Sequence, residues 1–411
     1  MAADIKSFAR DELEARFKSW EQPAYRVGQL LEWLYTRRAT SWDAMTNLPK
    51  PLREKLKENF TLRTLELVRQ VTSDKWQVTG KRTMSPACHA EASERRPVTR
   101  HMSHSVDTTQ KFLWRLHDHS LIESVLIPAN PALYGEASDR HTLCISTQVG
   151  CAYGCKFCAS GLDGWKRNLT PDEIIEQVLA VGREVTGDKW QVTGKRIMSP
   201  VARHVSRVVD NIVVMGMGEP LANYENLLKA LRILNAPWGG GIGARKITIS
   251  TSGLAPQIRK LAAEPLQFRL AISLHGATDE VRNKIMPVNR KYPLQELVAA
   301  CEQYQGQKGR MLTFEYILIA GVNDSVEQTQ PLAALAKKLF AKVNLIPYNR
   351  VEDLPWERPA DEVCETFLSA LKKQKVTATL RREKGGDIDA ACGQLRLKTE
   401  RELGGASAAS P

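Results

Sequence analysis

From about residue 140 the chain alternates strand-like runs with amphipathic stretches, and that rhythm admits few folds. Leu143–Ser146, Asn211–Met215, Lys246–Ser250, Arg269–Ser273, Thr313–Ile319, Lys342–Ile346 and Val376–Leu380 read as strands. Between them, Pro171–Glu184, Glu225–Leu234, Leu294–Tyr304 and Val326–Phe340 carry apolar residues at helical spacing. Repeated strand–helix units predict a parallel sheet, open or closed into a full or partial barrel. Thr170-Pro171-Asp172-Glu173 has the pattern of a capping box with proline at the first helical position.

The flanks differ from this core. Residues 1–65 read as a small helical domain, with Arg26–Tyr35 at helical spacing and a proline-marked helix start near Leu48. Residues 66–135 form a short accessory β segment, with strands at Leu65–Val71, Gln110–Leu116 and Leu121–Ile127. The core domain spans 136–392, and residues 393–411 are a C-terminal helix and tail. Gly404–Pro411 has nothing to bury and is expected to be disordered.

Formal net charge is +12, which invites a nucleic-acid partner, yet its distribution weakens the inference. Asp74–Pro86 recurs as Asp188–Pro200 with one change in thirteen. The repeats are either a pair of basic RNA-gripping loops or two insertions in tolerant loops. Insertion is favoured, because surface loops lengthen at little cost. Lys75–Val106 holds six Lys/Arg against two Glu, and Asp188–Arg207 holds five against one Asp. Eight of the twelve excess charges therefore lie in these two stretches; the inserted segments themselves run about 74–106 and 187–207. With no apolar run of eighteen residues and no signal-like N-terminus, the chain is expected to be cytoplasmic and without a membrane partner.

Of eight cysteines, Cys151, Cys155 and Cys158 stand closest, spaced CxxxCxxC just after the first strand of the series. Barrel folds place active sites at that end of the strands. Three thiolates at this spacing suit a 4Fe–4S cluster one ligand short of closure, leaving an iron open to chemistry. Zinc would need a fourth ligand and usually a second knuckle, which the sequence lacks. Cys301 and Cys364 lie in amphipathic helices and read as core, and Cys88 falls in the first inserted segment. Gly239–Gly243 precedes a strand and lacks the Gly-Lys-Ser/Thr ending of a phosphate loop, so it reads as a flexible loop.

The triplet resembles the signature of the radical S-adenosylmethionine superfamily. Gly218-Glu219-Pro220, one strand later, is similar to that superfamily's cofactor motif. Cys144 and Cys392, with Leu121–Pro128, Val213–Pro220, Ser273-Leu-His275 and Asn344–Asn349, narrow the resemblance to the RNA adenine methyltransferase branch. It implies an α/β fold: a partial (β/α)6 barrel of TIM type, with an N-terminal helical domain and a short accessory β segment. It implies one 4Fe–4S cluster on Cys151, Cys155 and Cys158, and two S-adenosylmethionine molecules per turnover. Cofactor contacts carry over to Gly218, Glu219, Ser250, Ser273, Leu274, His275 and Asn349.

The implied reaction methylates carbon 2 of an adenine in 23S rRNA and of one beside the tRNA anticodon. That ring carbon is electrophilic and cannot attack a methyl sulfonium, so the route runs through protein sulfur. Cys392 takes a methyl from one cofactor; a radical generated from a second removes hydrogen from that methyl, which then adds to the base. Attack of Cys144 on the Cys392 sulfur, with transient disulfide formation, releases the product. Glu123 matches the proton acceptor, though an outward-facing strand residue is the equal alternative. An external one-electron donor of flavodoxin type and a monomeric state are expected. The alternatives are a carbon-8 adenine methylase with the same five cysteines, and a non-catalytic iron–sulfur or zinc RNA-binding protein. Of the departures from the family, the second inserted segment falls on a helix-to-strand loop, while the first lies in the accessory sheet where RNA could pass.

Overall fold

The computed structural model describes residues 2–73, 108–129, 140–186, 208–381 and 392–407, with side chains through Glu402. The repeats, Cys88 and Gly386–Ala391 lie outside the described residues. Alternation along each strand separates two unlike faces. On β10 (Thr313–Leu318), Phe314, Tyr316 and Leu318 are fully buried, whereas Thr313 and Ile317 are half-exposed. On β7 (Asn211–Val214) and β11 (Lys342–Pro347) the same division sets Ile212, Val214, Val343 and Leu345 against Asn211, Val213, Lys342, Asn344 and Ile346. Tyr316 stacks on Phe367 of helix Asp361–Lys373 with ring centroids 5.6 Å apart, so the apolar rows face the helices. The other, more polar rows form the inner face of a partial barrel.

Among the described residues ten strands make one sheet, ordered β1-β2-β3-β4-β7-β8-β9-β10-β11-β12. β1 (Glu66–Thr72), β2 (Gln110–Arg115), β3 (Leu121–Pro128) and β4 (His141–Cys144) pair antiparallel. From β4 through β7, β8 (Ile247–Thr251), β9 (Arg269–Ser273), β10, β11 and β12 (Ala378–Leu380) every pairing is parallel. The accessory segment is thus continuous with the barrel, and β12, at the seventh strand the sequence marks, adds one parallel strand to the six of the barrel that the resemblance implies. A hairpin of β5 (Gln148–Gly150) and β6 (Trp165–Asn168) stands apart, and its short strands carry no pattern legible in the sequence.

The register also locates the residues that flank the inserted segments. Thr72 pairs with Gln110, Gln110 with Leu126, and Val125 with Cys144. Thr72 and Gln110 are thus in line with Leu143, and the open end of the β1–β2 hairpin points toward the start of the parallel strands. Asn211, which follows the second segment, is the first residue of β7 and lies at that same end. The first segment itself, expected to lie where RNA could pass, is outside the described residues.

Three local expectations need correction. Gly239–Gly243 is wound back onto the helix Tyr224–Asn235: Gly239 and Gly241 amides donate to Ala236 O and Ile242 N to Leu234 O, satisfying helix-end carbonyls. The stretch from Gly404 is not disordered at its start, because helix Gln394–Ser407 runs through it; extending a formed helix costs far less than starting one. Only half of the capping box forms: Glu173 Oε2 accepts from Thr170 N at 3.0 Å, while Thr170 Oγ1 has no partner.

The N-terminal helices Arg10–Ser19, Tyr25–Leu31 and Lys50–Asn59 pack around Leu13, Phe17, Leu30, Leu56 and Phe60. A buried ionic joint fastens them to helix Pro171–Thr186. Lys6 Nζ lies 3.3 Å from Asp4 and 3.4 Å from Glu176 and donates to Arg63 O at 2.6 Å, while Ser7 Oγ donates to Asp172. Removing one member strands buried charge, so Lys6→Met is expected to cost about 3 kcal/mol in urea unfolding. A loss below about 1 kcal/mol would contradict a buried joint.

Candidate active site

Cys151, Cys155 and Cys158 lie on the loop that β5 and β6 bracket. Cys151 N donates to Gly164 O at 3.0 Å, Lys156 N to Ile285 O at 2.9 Å and Trp356 Nε1 to Lys156 O at 2.7 Å, so the loop is anchored on three sides. Burial first, then repulsion from neighbouring sulfurs, pushes Cys151 up to about 12 and raises Cys155 and Cys158. Three such thiols release their protons together only against a cationic group, which is the donor chemistry of a thiolate-bound cluster. Among the described residues no three His, Cys, Asp or Glu side chains converge as the ligands of a single ion would. A cubane takes one thiolate per iron, so its ligands need not converge.

Beside this loop the strand ends are laced by side chains. Gly218, at φ +97°, turns against Gln148; a Cβ there would lie 2.5 Å from Gln148 Cβ. Glu219 follows, buried, its Oε1 accepting from Leu221 N at 3.0 Å and its Oε2 from Ser252 N at 2.7 Å and Ser252 Oγ at 2.8 Å. The Thr251 hydroxyl also bonds to this carboxylate, so its roughly four acceptor directions are supplied from within the protein. Ser250 Oγ and Ser273 Oγ are 3.2 Å apart on neighbouring strands. Leu274 is buried beyond them, and Asn349 is half-buried just past β11.

His275 Nδ1 accepts from Ile317 N at 3.0 Å, which places the ring proton on Nε2. Phe157 of the cysteine loop packs edge-on against its ring, with centroids 4.9 Å apart. Burial, then the nearby Arg282, lowers His275 to about 3, so the imidazole stays neutral. Arg282 escaped the sequence reading. It is fully buried, donating to Asn289 Oδ1 at 2.8 Å, Ser252 O at 2.9 Å and Leu274 O, and it helps to stabilise charge on Cys155. No sequence signal marks such an arginine, since its partners are mostly backbone carbonyls.

Cys144 and Cys392 meet. Both thiols are free, so no disulfide is present, and they share a hydrogen bond; Cys392 Sγ also donates to Met215 O at 3.2 Å. That bond lowers Cys144 and raises Cys392, so Cys144 is the sulfur better able to carry charge. Glu123 is buried, which overturns the outward-facing alternative. Its Oε2 accepts from Gly393 N at 2.7 Å and lies 3.1 Å from Lys111 Nζ, and its Oε1 accepts from Arg396 N at 2.7 Å. It therefore caps helix Gln394–Ser407 from another strand. Gly393, at φ +86°, allows close approach to the cysteine loop, where a Cβ would lie 2.9 Å from Ser160 N. Ser160 Oγ donates to Cys392 O at 3.3 Å. Cys392, the cap and the triplet loop are one assembly.

Comparison with known proteins decides the family. Residues 145–330 match the model of the radical SAM superfamily, and residues 3–62 that of the ribosomal RNA large subunit methyltransferase N-terminal domain. A probable dual-specificity RNA methyltransferase RlmN 3 from Opitutus terrae is 51% identical over 392 residues, covering 95% of this chain and 94% of its own length. The chain belongs to the RlmN family of RNA methyltransferases. Dual-specificity RNA methyltransferase RlmN from Anaeromyxobacter sp. is 42% identical, covering 95% of this chain and 90% of its own. A crystal structure of a radical SAM methyltransferase from Sphaerobacter thermophilus superposes with TM-score 0.77 at 40% identity, covering 95% of this chain and 98% of the other. Like the family, the chain is an S-adenosylmethionine-dependent RNA methyltransferase with a 4Fe–4S cluster.

Two outcomes follow for this RlmN-family site. Glu123→Ala removes both caps and leaves Lys111 buried without its carboxylate, so amide exchange over 393–400 is expected to accelerate about tenfold or more by hydrogen-exchange mass spectrometry. For His275 the folded value lies below the unfolded one, so its contribution is intact above pH 6.5 and falls as pH drops toward 3. The slope should reach about 1.4 kcal/mol per pH unit at most. Urea titrations at descending pH should show it, and His275→Gln should flatten it.

Proposed function

We propose that this chain methylates carbon 2 of adenine in 23S rRNA and tRNA through a methyl group carried on Cys392. The observation that carries this reading is the contact of Cys392 with Cys144, 248 positions away in sequence yet hydrogen-bonded beside the cysteine-triplet loop. A non-catalytic RNA binder has no use for such a pair. Cys151, Cys155 and Cys158 would hold the cluster, and Gly218, Glu219, Ser250, Ser273, Leu274, His275 and Asn349 would line the cofactor site. When bound, the cluster and S-adenosylmethionine supply a carbon radical able to take a hydrogen atom from a methyl group.

The chain's own groups account for the remainder. Cys144 accepts the Cys392 thiol proton as Cys392 sulfur displaces the cofactor methyl. Later, Cys144 sulfur bonds to Cys392 sulfur as the bond between Cys392 and the base-bound carbon breaks, that carbon taking up a proton to become the methyl group, and a dithiol reductant then returns the disulfide to two thiols. Glu123 would accept the carbon-2 proton beside the Cys392 segment, which it holds through the Gly393 amide. Membership of the RlmN family favours carbon 2 over carbon 8. Among the described residues no helix is long and apolar enough to cross a membrane. Cytoplasmic location, a monomer and an external flavodoxin-type electron donor complete the reading.

Cys144→Ala tests it. The variant is expected to accumulate RNA covalently joined to Cys392, visible as a slow band on denaturing gels and as a modified Cys392 peptide by mass spectrometry. Free, normally methylated RNA at wild-type rate would remove Cys144 from the scheme, and 8-methyladenosine in nuclease digests would move the target carbon.

A further inference from the structure

Glu315 is a buried carboxylate on the inner face that the scheme above leaves without a task. Its residue is 5% exposed, and Oε1 accepts from Asn344 Nδ2 at 3.0 Å. Oε2 is sealed from solvent and has no hydrogen-bond partner. A buried acceptor left unpaired is costly, and an apolar side chain would fill the same place without that cost. The neighbours on either side along β10, Phe314 and Tyr316, do face the helices and are apolar. Alternation therefore aims Glu315 into the barrel.

It belongs to a polar row that crosses five adjacent strands. Register pairs Glu315 with Ser273 on β9 and Asn344 on β11. Ser273 Oγ lies 3.2 Å from Ser250 Oγ on β8, and Asn344 Oδ1 accepts from Thr379 Oγ1 on β12 at 2.8 Å. Backbone amides of Leu274 and His275 both donate to Glu315 O, placing the residue level with the proposed cofactor contacts. Arg381 exerts its charge on both Glu315 and Cys144, so the row also borders the cysteine pair.

We infer that Glu315, oriented by Asn344, recognises an adenosine, whose ribose hydroxyls or exocyclic amine donate to Oε2. The inference rests on the proposed reaction, in which both the cofactor and the target nucleotide are adenosines. Nothing but a donor satisfies a carboxylate oxygen, and an adenosine presents donors on both its sugar and its base. Asn344 fixes the other oxygen, so the carboxylate meets the ligand already oriented.

The experiment uses the full chain with its cluster reconstituted under anaerobic conditions, comparing wild type with Glu315→Gln. Equilibrium dialysis gives the S-adenosylmethionine Kd. Competition between tRNA transcripts bearing adenosine or purine riboside at the target position gives the preference for the exocyclic amine. Thermal unfolding without ligand reports any structural role. A charged hydrogen bond lost at a buried site corresponds to about tenfold or more in affinity. The expected result is such a loss in one arm, with the ligand-free midpoint unchanged or raised. A loss in the dialysis arm assigns Glu315 to the cofactor, and a loss of adenosine preference assigns it to the RNA. Both arms within twofold of wild type, or a lowered midpoint with both arms lost, would overturn the inference. A cluster-loaded wild type that binds no S-adenosylmethionine would instead overturn the proposed cofactor site.

Discussion

A single carboxylate, Glu123, joins parts of the chain that are 270 positions apart. It takes two amides at the start of the C-terminal helix and the Lys111 ammonium on β2, all away from solvent. Each contact alone would be unfavourable: a bare buried carboxylate, a bare buried ammonium and an uncapped helix start all carry a desolvation cost. Together they satisfy one another. Leu395 then adds an apolar contact with Leu113 and Leu121 on the same two strands. Cys392 immediately precedes Gly393, so the position of its sulfur against Cys144 depends on this dock.

The same dock explains a tension in the chemistry. A cysteine near a helix start is ordinarily acidified by the unpaired amides there. Here Glu123 has already claimed those amides and sets its own negative charge nearby, and Cys392 is raised, chiefly by its bond to Cys144 and by burial. Cys392 is thus held in place with its proton on, and reactivity passes through its partner sulfur. Placement and activation are assigned to different groups.

Much of the fold was legible because it rests on periodicity. All seven parallel strands lie where alternating strand and helix patterns put them, and Cys301 and Cys364 are buried as amphipathic helices require. Of the five cysteines proposed to act, the triplet was legible from its spacing, whereas Cys144 and Cys392 were legible only through the resemblance to the RNA adenine methyltransferases. What the sequence hid depends on three-dimensional neighbours. Lys111 and Arg282 look like ordinary surface cations until the strands that bury them are assembled. The β5–β6 hairpin is too short to show a period, and Gly239–Gly243 looks mobile until the helix-end carbonyls it satisfies are seen.

Charge is where sequence and structure diverge most usefully. A net +12 suggests an RNA-binding surface, yet eight of those charges fall in two stretches whose course lies outside the described residues. Cys144, the triplet loop and Ser273 terminate or follow their strands at one end of the parallel sheet. Electrostatic attraction between exposed charges fades beyond about 10 Å in salt, so net charge counted over the whole chain says little about any one surface of it. Buried polar side chains on the inner face act instead through direct contact, as the Glu315–Asn344 and Ser250–Ser273 pairs do.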